Sequence, residues 1–338
     1  MAELLNVSGL EVGFQTDNGL ARVLDHVNLV IGKGEIIGLV GESGCGKTTL
    51  ARSILGVLPA NSARISSGSI RFDGRSLLEE NAADLANEIR GREITFVPQD
   101  PFSSFNPVFT IGDQVDELMK WKSPEAPLGS GRRWYSPRRR RNDRARVMEL
   151  LRTVQLPDPE GILKKYPHEV SGGQRQRLMI AMALLPEPKL IIADEPTTAL
   201  DVTIQAQILK LLKRLATERD VSVLFTTHDL GTAYEICDRI TVMYAGQEVE
   251  SAPTEAFFAA PRHPYTNRLL NSLPSRDRGI TGIPGQIPGL IAPPAGCRFH
   301  PRCDLASAHC KASRPEITEA GARHIVRCFH PVLAKEPS

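Results

Sequence analysis

The feature that most constrains this chain is an eight-residue segment, Gly41-Glu42-Ser43-Gly44-Cys45-Gly46-Lys47-Thr48. It matches the P-loop pattern G-x-x-x-x-G-K-[ST]. An apolar run at residues 36–40 precedes it, and a run with helical character at residues 49–58 follows it. A P-loop needs this order, because a buried strand must deliver the glycine-rich turn to a helix N-terminus, where free backbone amides bind an anion. The sequence therefore predicts an α/β fold with a phosphate site at this turn.

The polar groups of the P-loop each have an expected role. We expect Lys47 to reach the β- and γ-phosphates of a nucleotide and Thr48 to bind Mg²⁺. The backbone amides from Gly44 onwards are expected to face the phosphates. Because nearby cations and a helix N-terminus favour thiolate, a further hypothesis is an oxidisable Cys45 with a lowered pKa. The nucleotide-binding set predicted here is Gly41, Ser43, Gly44, Cys45, Gly46, Lys47, Thr48 and Thr49.

Length, charge and hydropathy limit the class of protein. A chain of 338 residues favours about two domains. A net charge of +2 gives no general case for binding nucleic acid or an anionic membrane. The first ten residues lack the features of a signal peptide, and no apolar run approaches the length of a membrane span. We therefore expect a cytosolic chain, or one that docks on a membrane through another protein.

The strand and helix patterns predict a layered α/β domain over residues 1–255. Residues 1–35 alternate apolar and polar side chains, as is typical of an antiparallel β layer. Beyond them, strand-like and helical runs alternate, which indicates a three-layer, mainly parallel sheet. Helical and loop signals dominate residues 100–170, so we expect an inserted helical subdomain there. We expect residues 256–338 to form a small C-terminal extension, in which a Pro-rich linker leads to a cysteine cluster.

An arginine-rich segment lies inside the predicted helical subdomain. Residues 123–146 are rich in Pro, Gly and Arg and include Arg138-Arg139-Arg140-Arg141. We expect a solvated, mobile insertion, and a contact with a membrane surface or a partner is the alternative.

Two carboxylates follow an apolar strand at residues 190–193. Asp194 is suited to bind Mg²⁺, and Glu195 is suited to act as general base or to orient water at the γ-phosphate. The alternative is an acidic turn at a strand end. At the carboxyl end of a parallel strand these side chains are expected beside the P-loop, which favours the catalytic interpretation.

A second glycine pair lies in the segment Ser171-Gly172-Gly173-Gln174. Ser171 is a good helix N-cap, which is a complete structural explanation for the serine. Two glycines in the first turn of a helix cost backbone entropy. They make sense where backbone amides must approach a ligand closely, so this helix start is a second candidate anion site.

These motifs occur in one fixed order along the chain and include Gln99, Ala199-Leu200-Asp201 and His228. Together they closely resemble the ATP-binding subunit of ABC transporters over roughly residues 1–255. The resemblance implies that Phe14 stacks on adenine and that Gln99 senses Mg²⁺ and water while facing a transmembrane partner. It also implies that Asp201 connects two ATP sites and that His228 contacts the γ-phosphate.

The resemblance implies partners as well. In this family each ATP lies between the P-loop of one subunit and the Ser171–Gln174 signature of another, so a second nucleotide-binding subunit, identical or homologous, is expected. Two transmembrane permease subunits and an external solute-binding protein complete the expected assembly. The chain would then be peripheral, on the cytoplasmic face of the plasma (inner) membrane, with no nucleic acid expected.

The last eighty residues resemble, more narrowly, the C-terminal extension of oligopeptide/dipeptide importer ATPases. The residues that carry this resemblance are His263-Pro264-Tyr265-Thr266, Ile283-Pro284-Gly285 and the segment from Cys297 to Cys303. The expected function is therefore an ATP-hydrolysing motor subunit for uptake of di- or oligopeptides. The alternatives are a soluble ABC ATPase acting on nucleic acid or ribosomes, supported only by the arginine run, and a scaffold with a degenerate site.

Four cysteines gather near the C-terminus: Cys297, Cys303, Cys310 and Cys328. Their gaps of five, six and seventeen residues are not the paired CxxC of a zinc ribbon. Uneven spacing suits an iron–sulfur cluster, and the resemblance supports a [4Fe–4S] cluster that staples the extension. Zinc, and free or disulfide-paired thiols, are the alternatives.

Overall fold

The structure is a computed structural model that describes residues 2–129, 134–197, 201–273 and 282–332. Its strands are β1 (Glu3–Thr16), β2 (Gly19–Gly32), β3 (Ile36–Val40), β4 (Ala63–Phe72), β5 (Arg75–Ser76), β6 (Ile94–Val97), β7 (Leu190–Asp194), β8 (Ser222–Thr227), β9 (Arg239–Tyr244), β10 (Gln247–Pro253), β11 (Thr318–Gly321) and β12 (His324–Val326). Its α-helices are α1 (Lys47–Leu55), α2 (Ala82–Asp84), α3 (Ile111–Lys122), α4 (Pro137–Thr153), α5 (Pro159–Lys164), α6 (Gly172–Leu184), α7 (Val202–Glu218), α8 (Leu230–Ile236), α9 (Thr254–Ala259), α10 (Pro264–Asn271) and α11 (Ala308–Ala312).

The described residues form two compact units. Unit 1 contains residues 32–36 and the described part of residues 79–225. Unit 2 contains residues 3–31 and 37–78 and the described residues from 226 onwards. The boundary expected near residue 255 stays a prediction.

Unit 1 contains strands β6 and β7, the larger part of β8, and helices α2 to α7. Strands β6 and β7 pair in parallel, and β8 follows β7 in the sheet order. Every residue of β7 is buried, as expected for a strand covered on both faces. The apolar stripe of α7 is buried at Ile208, Leu211, Leu212 and Leu215, which confirms the helix that its spacing predicts.

Unit 2 combines a parallel pair with antiparallel strands. Strand β3 pairs in parallel with β9, which turns back into β10 through Ala245-Gly246. Both turn residues have positive φ, 45° and 85°, as a two-residue hairpin turn requires. A separate sheet has the strand order β2-β1-β4-β5, and β1 pairs antiparallel with β4. Parallel strands with helices and an antiparallel layer confirm the predicted α/β class.

The arginine run lies on a helix, so the expectation of a mobile insertion is wrong for residues 137–146. Ser136 caps α4, accepting a hydrogen bond from the Arg139 backbone amide at 3.2 Å, and Pro137 occupies its first turn. Arg139 is buried and donates to the Lys120 carbonyl at 2.7 Å. Arg140 pairs with Asp116 at 2.8 Å. The run that supported a nucleic-acid function is thus partly engaged within the protein. Residues 130–133 lie outside the described residues.

No helix among the described residues is both long and apolar enough to cross a bilayer. The two 17-residue helices, α4 and α7, illustrate the reason: both are amphipathic, and α4 carries the arginine run.

The C-terminal extension is joined to the rest of unit 2 by a short strand and by a charge network. Strand β12 pairs antiparallel with β10 at Glu250 and Ser251. Asp25, on β2, forms ion pairs with Arg298 at 2.9 Å and with Arg314 at 3.0 Å. Burial raises the pKa of Asp25, but the two arginines and other hydrogen-bond donors outweigh it and lower that pKa to about 2.

We expect Asp25→Asn to lower the stability of the protein at neutral pH, because the buried Arg298 guanidinium loses its carboxylate partner. A Tm decrease of at least about 2 °C is expected at pH 7. Since the folded pKa lies below the ordinary value of 3.8, the carboxylate stabilises the fold above about pH 4 and ceases to do so as the pH falls towards 2. Unfolding of both proteins between pH 7 and pH 3 measures this. A difference in stability that grows as the pH falls is the opposite result.

Candidate nucleotide site

The P-loop connects β3 to α1 with the backbone that its glycines allow. Gly41, Gly44 and Gly46 have φ values of 151°, 78° and 109°, in the region that favours glycine. A Cβ atom on Gly41 would lie only 2.2 Å from the Met243 carbonyl oxygen, so no other residue fits there. The predicted strand–loop–helix unit is thus confirmed.

Lys47 is held inside the loop. Its side chain is buried, and its ammonium donates to the Gly41 carbonyl at 2.8 Å and to the Glu42 carbonyl at 3.4 Å. Ser43, Gly44 and Thr48 are exposed on the same turn. The turn therefore combines exposed residues with a cation enclosed by the loop, which is a suitable arrangement for a polyphosphate.

The Cys45 thiol does not have the lowered pKa that the sequence suggests. The side chain is 2% exposed. Burial raises the pKa of Cys45, and the nearby Lys47 ammonium only partly offsets this effect. The hypothesis of a reactive thiolate at this position is wrong, because desolvation of the charged form outweighs the cation.

Two other predicted residues belong to the same unit as the P-loop. Phe14 is half-buried near the end of β1 and pairs in register with Ala63 of β4. His228 is exposed directly after β8. Asp229 follows it and caps α8, accepting a hydrogen bond from the Gly231 amide at 2.9 Å. This N-cap fixes the start of α8 directly after His228.

Unit 1 brings Gln99 and the strand-end carboxylates together. Asp194 is buried at the end of β7, and Glu195 follows in a left-handed backbone conformation with φ of 47°. The Gln99 amide, after β6, donates to a Glu195 carboxylate oxygen at 3.0 Å. Non-glycine residues in this conformation carry backbone strain that is common at functional sites. A glutamate and a glutamine 96 positions apart are thus in direct contact.

The signature segment forms the start of α6 as predicted. The Ser171 hydroxyl accepts from the Gln174 amide at 3.3 Å, and the Gln174 side chain accepts from the Ser171 amide at 3.0 Å, forming a capping box. A Cβ on Gly173 would lie 3.2 Å from Ile204, so packing explains that glycine in part. A Cβ on Gly172 would meet only Phe102, at 3.9 Å, so local packing does not require glycine there.

Asp201 precedes α7 as its N-cap residue and is exposed, without a side-chain hydrogen bond to the cap. Ala199 and Leu200 of the same predicted segment lie outside the described residues. The predicted site residues therefore divide into two sets. The P-loop, Phe14 and His228 belong to unit 2, whereas Gln99, the signature, Asp194, Glu195 and Asp201 belong to unit 1.

The sequence reasoning missed three residues at the P-loop. Glu42 had no assigned role, Tyr265 was used only to identify the C-terminal extension, and Arg302 was expected to offset the charge of the cysteine thiolates. In the structure both extension residues contact Glu42. The one signal in the sequence that could have indicated these contacts was the charge of Glu42, which occupies a variable position of the P-loop pattern.

The four C-terminal cysteines line one small cavity together with His263, Phe299 and His330. Burial raises the pKa of Cys297, Cys303 and Cys328, the last to about 12. No three of the four sulfurs, all of which the structure describes, lie within 4.8 Å of one another. The cavity thus gathers the four thiols.

Two families of known proteins match this chain. Residues 24–198 match the family described as ABC transporter. Residues 249–310 match the family described as oligopeptide/dipeptide transporter, C-terminal region.

Individual relatives match over almost the full length. A probable peptide ABC transporter ATP-binding protein of Sinorhizobium fredii is 44% identical over 96% of this chain and 94% of its own length. The dipeptide transport ATP-binding protein DppD of Bacillus subtilis is 41% identical over 97% and 95% of the two chains. Among solved structures, the dimeric post-hydrolysis ATP-binding cassette MJ0796 with ADP and Pi superposes with a TM-score of 0.62 at 28% identity, covering 74% of this chain and 99% of that one.

Proposed function

This chain belongs to the family of ATP-binding subunits of ABC transporters, and from that premise we propose that it hydrolyses ATP to power uptake of di- or oligopeptides through a membrane importer. The observation that carries the ATPase part is the P-loop, with its glycine backbone and its enclosed lysine. The match of residues 249–310 to the oligopeptide/dipeptide transporter C-terminal region supports peptides as the cargo. The names of the full-length relatives support the same cargo.

The residues divide the chemistry between binding and hydrolysis. The P-loop amides and Lys47 hold the phosphates, and Phe14 stacks on the adenine. Thr48 and Asp194 would hold Mg²⁺, whose charge offsets that of the phosphates. Glu195 accepts a proton from the attacking water, and the hydrogen bond from Gln99 at 3.0 Å orients its carboxylate. His228 contacts the γ-phosphate.

A dimer completes each ATP site in this proposal. The chain contains one P-loop and one signature segment, so a subunit alone holds two half-sites. The start of α6, at Ser171 and Gly173, faces the phosphates of the ATP that the P-loop of a second nucleotide-binding subunit holds. Hydrolysis removes this bridge, and the dimer opens. The dimeric state named for the MJ0796 cassette is consistent with this arrangement.

The proposed dimer works on two transmembrane permease subunits, with an external solute-binding protein delivering the peptide. In this proposal Gln99 faces the permease, as the family resemblance implies. The chain is then a peripheral protein at the cytoplasmic face of the plasma membrane. Deleting the gene in the source organism is expected to abolish uptake of a radiolabelled dipeptide and tripeptide and to leave uptake of free amino acids unchanged. If the deletion strain still takes up peptides but no longer takes up another solute, that solute is the cargo and the peptide assignment is wrong.

The four thiols that line one cavity support a [4Fe–4S] cluster in the extension. A zinc ion would draw its four sulfurs to about 3.8 Å apart, since each Zn–S bond is about 2.3 Å. The uneven spacing of the four cysteines along the chain suits an iron–sulfur cluster, and the paired CxxC spacing of a zinc ribbon is absent. Such a cluster would stabilise the extension by cross-linking four chain segments.

We expect about four iron and four sulfide per chain after anaerobic purification, with a broad visible absorption band. Cys303→Ser is expected to lose that iron, and Cys237→Ser is the control because Cys237 lies outside the cavity. Stoichiometric zinc would favour the single-ion alternative. If the purified protein is correctly folded but contains no metal, the four cysteines hold no cofactor, and the cluster is removed from the proposal.

A further inference from the structure

Arg302 of the C-terminal extension forms a two-pronged ion pair with the P-loop. Its guanidinium donates to the two oxygens of the Glu42 carboxylate, at 2.8 Å and 3.1 Å. The Arg302 side chain is 3% exposed, and that of Glu42 is 23% exposed. Such paired, charge-assisted bonds are short and directional, so they fix the position of the carboxylate as well as attracting it.

The extension holds Arg302 in place for this contact. Its guanidinium also donates to the carbonyls of Pro284 at 2.9 Å and Ile283 at 3.1 Å, and to the Tyr244 hydroxyl at 3.3 Å. Burial lowers the pKa of Arg302, but the bonds to Glu42 and Tyr244 outweigh it, so that the net shift is upward. Because these acceptors already hold the Arg302 guanidinium in place, its side chain loses little further conformational entropy when it binds the Glu42 carboxylate.

A second residue of the extension contacts the same loop position. The Tyr265 hydroxyl accepts a hydrogen bond from the Glu42 backbone amide at 3.1 Å. Tyr265 is fully buried, and its ring packs against Tyr244 and Phe299, with ring centroids 4.6 Å and 5.4 Å apart. The aromatic packing therefore fixes the acceptor that receives the Glu42 amide.

The third polar group of Glu42 points into the loop. Its carbonyl oxygen accepts from the Cys45 amide at 3.3 Å and from the Lys47 ammonium at 3.4 Å. The carboxylate, amide and carbonyl of Glu42 are thus all bonded, the first two to the extension and the third to the phosphate-binding turn. A displacement of Glu42 would be transmitted directly to the groups that bind nucleotide.

We propose that Arg302 and Tyr265 are positioning residues of the P-loop, which hold Glu42 so that the loop is ordered before nucleotide arrives. The inference rests on the P-loop binding nucleotide, as proposed above. Ordering a binding loop in advance raises affinity, because the entropy of ordering is not lost on binding. The extension therefore sets the affinity of the ATP site, in addition to any role in its own fold.

The test measures nucleotide affinity in the full-length protein with a fluorescent ADP analogue. Tyr265→Phe removes one hydroxyl and keeps the ring, and Arg302→Ala removes the guanidinium. We expect the Kd for the analogue to rise about tenfold in Arg302→Ala, and severalfold in Tyr265→Phe. Arg302→Lys is expected to recover only part of the affinity, because an ammonium cannot form the paired contact. Arg268→Ala is the control, since Arg268 is a residue of the same extension that pairs with Asp304.

A double-mutant cycle with Glu42→Gln separates positioning from general destabilisation. If Arg302 acts through Glu42, adding Glu42→Gln to Arg302→Ala raises the Kd by less than the two separate effects multiplied together. The KM for ATP should rise while kcat at saturating ATP stays within about twofold. If Arg302→Ala does not fold, Tyr265→Phe carries the test.

Unchanged Kd values in the folded variants, or an equal loss in Arg268→Ala, would overturn the inference and leave the ATPase assignment intact. A wild-type protein that binds neither the analogue nor ATP would instead contradict the proposed function.

Discussion

Replacing Glu195 by Gln is expected to reduce ATP hydrolysis by about three orders of magnitude while ATP still binds. The amide has the shape of the carboxylate but cannot accept a proton from the attacking water. Glu195 is well placed for that role, at the end of a buried strand, with strained backbone and with Gln99 bonded to its carboxylate at 3.0 Å. Because the ATP bridge is then not removed, the variant should also accumulate as an ATP-bound dimer.

Phosphate release and size-exclusion chromatography with ATP and Mg²⁺ check both parts of this prediction. The matched control is Glu218→Gln, at the end of α7, where the carboxylate is exposed. Turnover near the wild-type rate in Glu195→Gln would exclude this residue as the general base and direct attention to His228.

Replacing Lys47 by Ala is expected to weaken ATP binding by about 100-fold and to abolish hydrolysis as a result. The two variants thus differ in kind, since loss of Lys47 acts on binding and loss of Glu195 acts on the chemical step. Lys47 is the charged group enclosed by the P-loop, bonded to the Gly41 and Glu42 carbonyls. Without it, the phosphates meet those carbonyls with no cation between them.

Nucleotide titration of purified protein measures the loss. Arg52→Ala is the control, because Arg52 is an exposed cation on the same helix, α1. Nucleotide binding that survives in Lys47→Ala would mean that the backbone amides alone provide most of the affinity, and the P-loop lysine would then be reassigned to catalysis.

The sequence motifs were sufficient to predict the local backbone structure of the site. The P-loop turn, the Ser171 capping box and the strand ending at Asp194 all depend on residues within about one helical turn of one another. Glycine at a left-handed position and serine at an N-cap act through neighbouring backbone atoms, so their spacing along the chain is informative. The resemblance to ABC transporter ATPases was confirmed for the same reason, since it rested on such local motifs in order.

Predictions made from local sequence patterns were wrong where the burial of a side chain determines its properties. Residues 123–146, which include Arg138–Arg141, were predicted to be a solvated, mobile insertion. Residues 137–146 instead lie on α4, where Arg139 is buried and donates to the Lys120 carbonyl. Cys45 was assigned a lowered pKa from its charged neighbours, but desolvation raises it. Desolvation depends on how many atoms surround a group from all parts of the chain, and no short segment contains that information.

The sequence by itself determined the nucleotide-binding family, the class of fold and the residues expected to perform the chemistry, because each depends on short-range backbone geometry. Only the tertiary structure decided which distant residues meet. It bonded Gln99 to Glu195, gathered four dispersed cysteines around one cavity, and brought Arg302 to Glu42, 260 positions earlier in the chain. Such contacts depend on how sheets and loops pack after the elements have formed, so they follow from the complete fold and not from local spacing.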